Sequence, residues 1–82
     1  MEYTQTVRNF VIDNFLFGDS SGLDGDSASF LENGIIDSTG ILELVSFLEE
    51  TFGIKVEDEE LIPENLDSIN NVVGYLKRKI EV

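Results

Sequence analysis

The sequence predicts an all-α fold: a four-helix bundle with three main helices, one short helix and a long loop between the first two. Three observations predict it. Apolar residues recur at steps of three or four in three stretches, near 3–16, 38–52 and 69–80. The alternating run Ile54-Lys55-Val56 has no partner run with which to form a sheet. A stretch rich in Gly, Ser and Asp separates the first two periodic segments.

The first helix is expected from Tyr3 to Leu16. Tyr3, Val7, Phe10 and Val11 share one face, with Phe15 at its margin, and Thr4, Arg8, Asn9 and Asp13 fall mostly off it. Gly18 suits a C-terminal stop. The connection from Asp19 to Asn33 carries Ser20, Ser21, Gly22, Asp24, Gly25, Asp26 and Ser27, and its apolar residues Leu23, Phe30 and Leu31 are expected to pin it to the core. A loop this long in a small domain is either functional or crosses the bundle. The loop briefly resembles a calcium loop, but the pattern fails in three places, and a solvated acidic loop is the expected reading. Counted from Asp24, the fifth, sixth and twelfth positions are Ala28, Ser29 and Ile35, where an EF-hand needs a ligand, a Gly and a Glu.

Gly34-Ile35-Ile36 leads into the second helix, with Ile35 or Ile36 expected beneath it. That helix should run from Ser38 to Phe52 and end at Gly53. Ile41, Leu44, Val45, Leu48 and Phe52 form its apolar face, with Glu43, Ser46 and Glu50 opposite. Gly40 costs the first turn about 1 kcal/mol relative to Ala and leaves the ground beside Ser38 free of a side chain. Glu57 to Ile62 reads as a short helix, opened by acids that suit its N-terminus, closed by Pro63 and anchored by Leu61 and Ile62. Pro63 to Asp67 then connects, with Leu66 as a core contact. Asp67 or Ser68 caps the last helix, whose stripe is Ile69, Val72, Val73, Leu76 and Ile80. Lys77, Arg78 and Lys79 lie in its last turns, where cations suit the helix dipole.

Composition narrows the function classes. The chain of 82 residues is expected to form one domain, residues 1–82, with a modest core from a hydrophobic share of 41%. A net charge of −12 argues against nucleic acid and against an anionic membrane surface, and favours basic patches on partner proteins. No signal peptide and no apolar run near the ~20 residues of a membrane helix is visible, so a cytoplasmic location is expected. With no Cys and no His there is no disulfide scaffold, no Ser-His or Cys-His nucleophile and no common zinc site.

One hydroxyl stands out. Ser38 falls where the loop turns into the second helix. It either caps that helix, as Ser commonly does, or is left free for modification because Asp37 caps equally well. A phosphodiester would suit that place, since first-turn N–H groups and the dipole favour an anion. Gly34, Asp37, Ser38, Leu44 and the acidic face around Glu43 resemble the attachment site of the acyl carrier and peptidyl carrier protein family, and length and helix order match over nearly the whole chain. The resemblance implies a 4'-phosphopantetheine arm on Ser38, flanked by Asp37 and Thr39, installed from coenzyme A by a phosphopantetheinyl transferase. It further implies a monomeric carrier, not an enzyme, loaded with an acyl or aminoacyl group as a thioester by a ligase or synthase. The thiol would then come from outside the polypeptide, which has none.

In that family the helix after the serine is read by basic patches, and Glu43 and Glu50 match its acidic positions. These carboxylates are otherwise a plain solvated face. Leu42 and Phe47 fall outside the core stripe and are either rim core or partner contacts. Val56 and Leu61 read first as core, and the family adds that their region flanks the arm and can shelter an acyl chain. Three positions depart from many fatty-acid carriers: Thr39 replaces Leu, Gly40 replaces Asp, and Ser46 replaces Met. The segment Pro63–Ile69 looks more like stand-alone carriers that work with an adenylate-forming ligase, D-alanyl and aminoacyl carriers included. A specialised carrier is therefore expected. The rival is an acidic helical adaptor that binds a partner protein without covalent cargo.

Overall fold

The computed structural model describes residues 3–19 and 25–81. It contains α1 (Tyr3–Phe15), α2 (Ser38–Phe52), α3 (Pro63–Leu66) and α4 (Ile69–Ile80), with one 3-10 turn at Asp58–Glu60 between α2 and α3. The predicted bundle of three main helices and one short one, with a long loop after the first, is what forms. Among the described residues there is no strand. Leu23 and Asp24, expected to pin the loop and considered for calcium, lie outside the described residues.

Each long helix contributes a buried stripe. Val7 and Val11 from α1, Leu44 and Leu48 from α2, and Ile69, Val72 and Leu76 from α4 are fully buried against one another, with Phe30, Ile36 and Leu66 completing the core. The loop is stapled down by polar bonds as well as by Phe30. Arg8 pairs with Asp26 at 2.9 Å, and the Asp26 carbonyl accepts the Asn70 N–H at 2.9 Å. Asp67 does the rest: its carboxylate accepts the Ser29 hydroxyl and the Leu31 N–H, and its carbonyl accepts the Phe30 N–H at 2.7 Å. That duty leaves the cap of α4 to Ser68, whose hydroxyl accepts the Asn71 N–H at 3.0 Å.

Helix ends follow local chemistry. α1 stops where Phe17 and Gly18 both turn left-handed, at φ 53° and 85°, and the Gly18 N–H returns to the Ile12 carbonyl at 2.9 Å. Gly53 closes α2 at φ 67°, its N–H on the Glu49 carbonyl.

Four expectations need correction. Pro63 opens α3 rather than closing a helix; at the first helical position its missing N–H would have had no partner, and its fixed φ suits the turn. The segment Glu57–Ile62 shrinks to the single 3-10 turn, and Leu61 and Ile62 are exposed rather than anchored. Leu31 also faces outward, because the neighbouring Phe30 takes the core position. On α4, Ile80 is exposed in the last turn, while Tyr75, outside the predicted stripe, is buried.

Candidate functional site

The junction before α2 is fixed from below. Ile36 is buried, and Gly40 lies directly on it: a Cβ at Gly40 would meet Ile36 Cγ2 and Phe15 Cε1, each at 2.9 Å. The missing side chain thus serves a close approach in the core. It does not clear space beside Ser38, as expected from sequence. Asp37 has extended backbone at φ −96° and ψ −174°, and its Oδ1 accepts the Gly40 N–H at 2.7 Å. Asp37 is therefore the cap, and Ser38 is the first helical residue. Asp37, Ser38 and Thr39 are all exposed.

A groove of about 230 Å³ opens beside Ser38. Leu31, Ile41, Leu61, Ile62, Pro63 and Leu66 supply its apolar lining, and Ser38 and Asp67 its polar lining. The other side of α2 carries a shallower, open depression of about 470 Å³, lined by Thr39, Leu42, Glu43, Ser46, Phe47 and Glu50 with Phe10 of α1. Leu42 is 60% exposed there. Phe47 combines both roles considered for it. It is half-buried, stacked on Phe10 with centroids 4.0 Å apart and planes at 13°, yet it borders the depression. Val56 is buried, and its N–H donates to Glu49 Oε2 at 2.9 Å, so it offers no open contact. Leu61 is exposed on the groove.

Charge is distributed unevenly. Among the described residues the ion pairs are Arg8–Asp26 and Lys79–Glu60, and neither involves the exposed Glu43 or Glu50. Glu60 is a polar hub that sequence reasoning missed. One of its carboxylate oxygens accepts the Glu57 N–H at 2.9 Å, Lys79 Nζ at 3.0 Å and the Tyr75 hydroxyl at 3.0 Å. The Glu57 N–H and then Lys79 hold its carboxyl below the usual range against the opposing effect of burial, and Tyr75 adds a lesser lowering. Burial, and then the bond to Glu60, push the Tyr75 phenol up. The four-residue spacing of Tyr75 and Lys79 on α4 was a visible signal; nothing local marked Glu60 among its acidic neighbours.

Chemically, the junction presents a hydroxyl without a means to activate it. The adjacent carboxylate is engaged in the cap, and the chain has no imidazole or thiol. Among the described residues, no group is placed to make Ser38 a nucleophile on its own account. Among the described residues no cluster suited to a metal ion occurs.

The family profile described as a phosphopantetheine attachment site matches residues 16–76. A probable acyl carrier protein, PigG, of a Serratia species is 31% identical over 70 residues, spanning 85% of this chain and 79% of that one. Acyl carrier proteins of Clostridium acetobutylicum and Akkermansia muciniphila are 36% identical over 70 residues and 38% over 74. They cover 80% and 90% of this chain, and 88% of their own length in each case.

Proposed function

This chain belongs to the phosphopantetheine-binding carrier family, and we propose that Ser38 is the residue that bears its arm. Acyl carrier function, as a carrier rather than an enzyme, and a covalent 4'-phosphopantetheine come with that membership. The observation that carries the assignment of Ser38 is the cap. Asp37 satisfies the Gly40 N–H, so the exposed hydroxyl one residue later is not needed for the helix start.

The residues present fit the group. By helix geometry the Ser38 and Thr39 N–H groups have no partner within the helix, and the dipole is positive there, which suits a phosphodiester. The groove beside Ser38 offers apolar side chains to what lies beyond the phosphate. When attached, the arm supplies a thiol that the polypeptide lacks and on which an acyl group is held as a thioester. The chain's own part is threefold: Asp37 fixes the helix start, Ser38 presents the oxygen, and Glu43 and Glu50 draw basic partners. Those partners would be a phosphopantetheinyl transferase and a loading enzyme, with residues 1–82 acting as one carrier domain. Leu42 and the rim of Phe47 would be their apolar contacts.

Within the family, the reading is a specialised carrier loaded by an adenylate-forming ligase with an acyl or aminoacyl group. Thr39 and Ser46 support it, since at exposed positions they make the surface of α2 less apolar than a Leu and a Met would; Gly40 is buried and does not alter that surface.

Intact mass tests the site. Incubated with coenzyme A and a promiscuous transferase, the wild type should gain one phosphopantetheine, and Ser38→Ala should gain none while keeping its helical spectrum. An added mass on Ser38→Ala overturns the assignment. An unmodified wild type, beside a control carrier that is modified, would favour the adaptor without covalent cargo.

A further inference from the structure

The wall of the Ser38 groove is held in an unusual way. Between the buried Val56 and the buried Leu66, no residue from Glu57 to Asn65 is buried. The groove-lining side chains Leu61 and Ile62 are 37% and 41% exposed, so apolar burial does little to fix them. Polar ties from one face of α4 take its place. Tyr75 and Lys79 both donate to Glu60 Oε1 at 3.0 Å. Arg78 donates to the Asn65 side chain at 2.8 Å, and that side chain donates to the Glu60 carbonyl at 2.9 Å. The Glu60 carbonyl also accepts the Ile62 N–H at 2.9 Å. Glu60 is thus bonded to α4 through its side chain and to the groove wall through its backbone.

We propose that Glu60 is a positioning residue: with Tyr75 and Lys79 it latches the 57–62 segment to α4 and so sets how Leu61 and Ile62 face the group carried on Ser38. The inference rests on the reading of Ser38 as the attachment point for its functional consequence, though not for the latch itself. The geometry explains why a phenol is kept in the core of α4, where Phe would fill the same space. It also explains why Lys79, in an acidic chain with five cations, is turned onto this one carboxylate. A carboxylate that accepts three bonds on one oxygen orients its own backbone firmly, and the residues one and two positions later follow.

The test uses the full chain, as purified and after transfer of a medium-chain acyl-phosphopantetheine from its coenzyme A ester by a promiscuous transferase. The variants are Tyr75→Phe, Lys79→Met and Glu60→Gln. Lys79→Met loosens the latch from the surface and keeps the test valid if Tyr75→Phe folds poorly. Glu60→Gln keeps an oxygen for the Tyr75 hydroxyl and serves as the conservative variant. Backbone hydrogen exchange at residues 60–62 should rise at least about threefold in Tyr75→Phe and in Lys79→Met relative to α2, and less in Glu60→Gln. Attaching the acyl arm should shift the Leu61 and Ile62 methyl resonances of the wild type, and shift them less in the first two variants. Exchange and methyl shifts unchanged in both would overturn the latch. Exchange that rises while the acyl-induced shifts stay as in the wild type would overturn the positioning role. A wild type that accepts no arm would overturn the reading of Ser38 instead, and the exchange comparison would still decide the latch.

Discussion

Gly40 sets two opposite effects against each other, and Gly40→Ala decides between them. By helix propensity alone, Ala in the first turn of α2 should stabilise the protein by about 1 kcal/mol. The structure says otherwise. The new methyl would lie 2.9 Å from Ile36 Cγ2 and 2.9 Å from Phe15 Cε1, where ordinary contact begins at 3.4 Å, and it would stand 3.4 Å from Asp37 Oδ1. Phe15 is half-buried and can swing outward; Ile36 is buried and cannot. Overpacking of this kind costs about 1–3 kcal/mol. The net expectation is a loss of about 1 kcal/mol, which is appreciable against a stability of roughly 4–12 kcal/mol for a chain of this size. With a urea slope near 1 kcal/mol/M, the midpoint should fall by about 1 M at unchanged slope. Because Ile36 also seats Asp37 and Ser38, the rate of transferase modification should fall with it. A midpoint that rises by about 1 M, with modification unimpaired, would show that the close approach is not a constraint and that Gly40 is only a poor helix former.

Three further outcomes follow from the same contacts. Asp37→Ala removes the bond to the Gly40 N–H and should cost about 1 kcal/mol in urea unfolding, while Asp37→Asn, which can still accept, should cost clearly less; equal losses would mean the cap is not the source. Leu48→Ala, at a fully buried position of α2, should cost about 2–5 kcal/mol, and a midpoint within error of the wild type would contradict the core described here. Glu60 has a depressed folded-state pKa, so its contribution is present above its ordinary value of 4.5 and is lost as pH falls through the lower folded-state value. Urea midpoints measured down through that window should therefore fall more steeply for the wild type than for Glu60→Gln, and parallel curves would remove the coupling.

Much of the architecture was legible because it is written locally. The bounds of α2 follow from Asp37, the 3.6-residue apolar period and Gly53, and each of these acts within a few residues of itself. What escaped is decided by distant partners. A Pro after a short acidic run can end one helix or begin another. Burial of Leu66 in the core, and the bond from the Asn71 side chain to the Pro63 carbonyl at 3.1 Å, settle the choice in favour of α3. Phe47 fell outside the core stripe and could be rim core or an exposed contact; Phe10 arrives from α1 to cover one of its faces. Gly40 read as a local cost because the side chains it accommodates belong to other segments. The place of Ser38 at the start of α2 was legible, whereas the groove beside it was not, since the groove needs the loop at Leu31 and the turn at Leu61 to meet α2.

The placement of charge argues that the exposed face of α2 is kept acidic rather than merely left so. The chain has five cations against 17 acids. Arg8 is bound to Asp26 in the loop, Lys79 to Glu60 and Arg78 to Asn65. The first two bonds tie down segments outside the α-helices, and the third holds the single-turn α3. A surface ion pair adds at most about 1 kcal/mol, so stability alone gives little reason to favour one acid over another. Yet none of the three cations reaches Glu43 or Glu50, the carboxylates that border the depression with Leu42 and Phe47. On the function proposed, pairing them internally would weaken the field that draws a basic enzyme. The same few cations therefore hold the segments around the groove and leave Glu43 and Glu50 outside the ion pairs of the described residues.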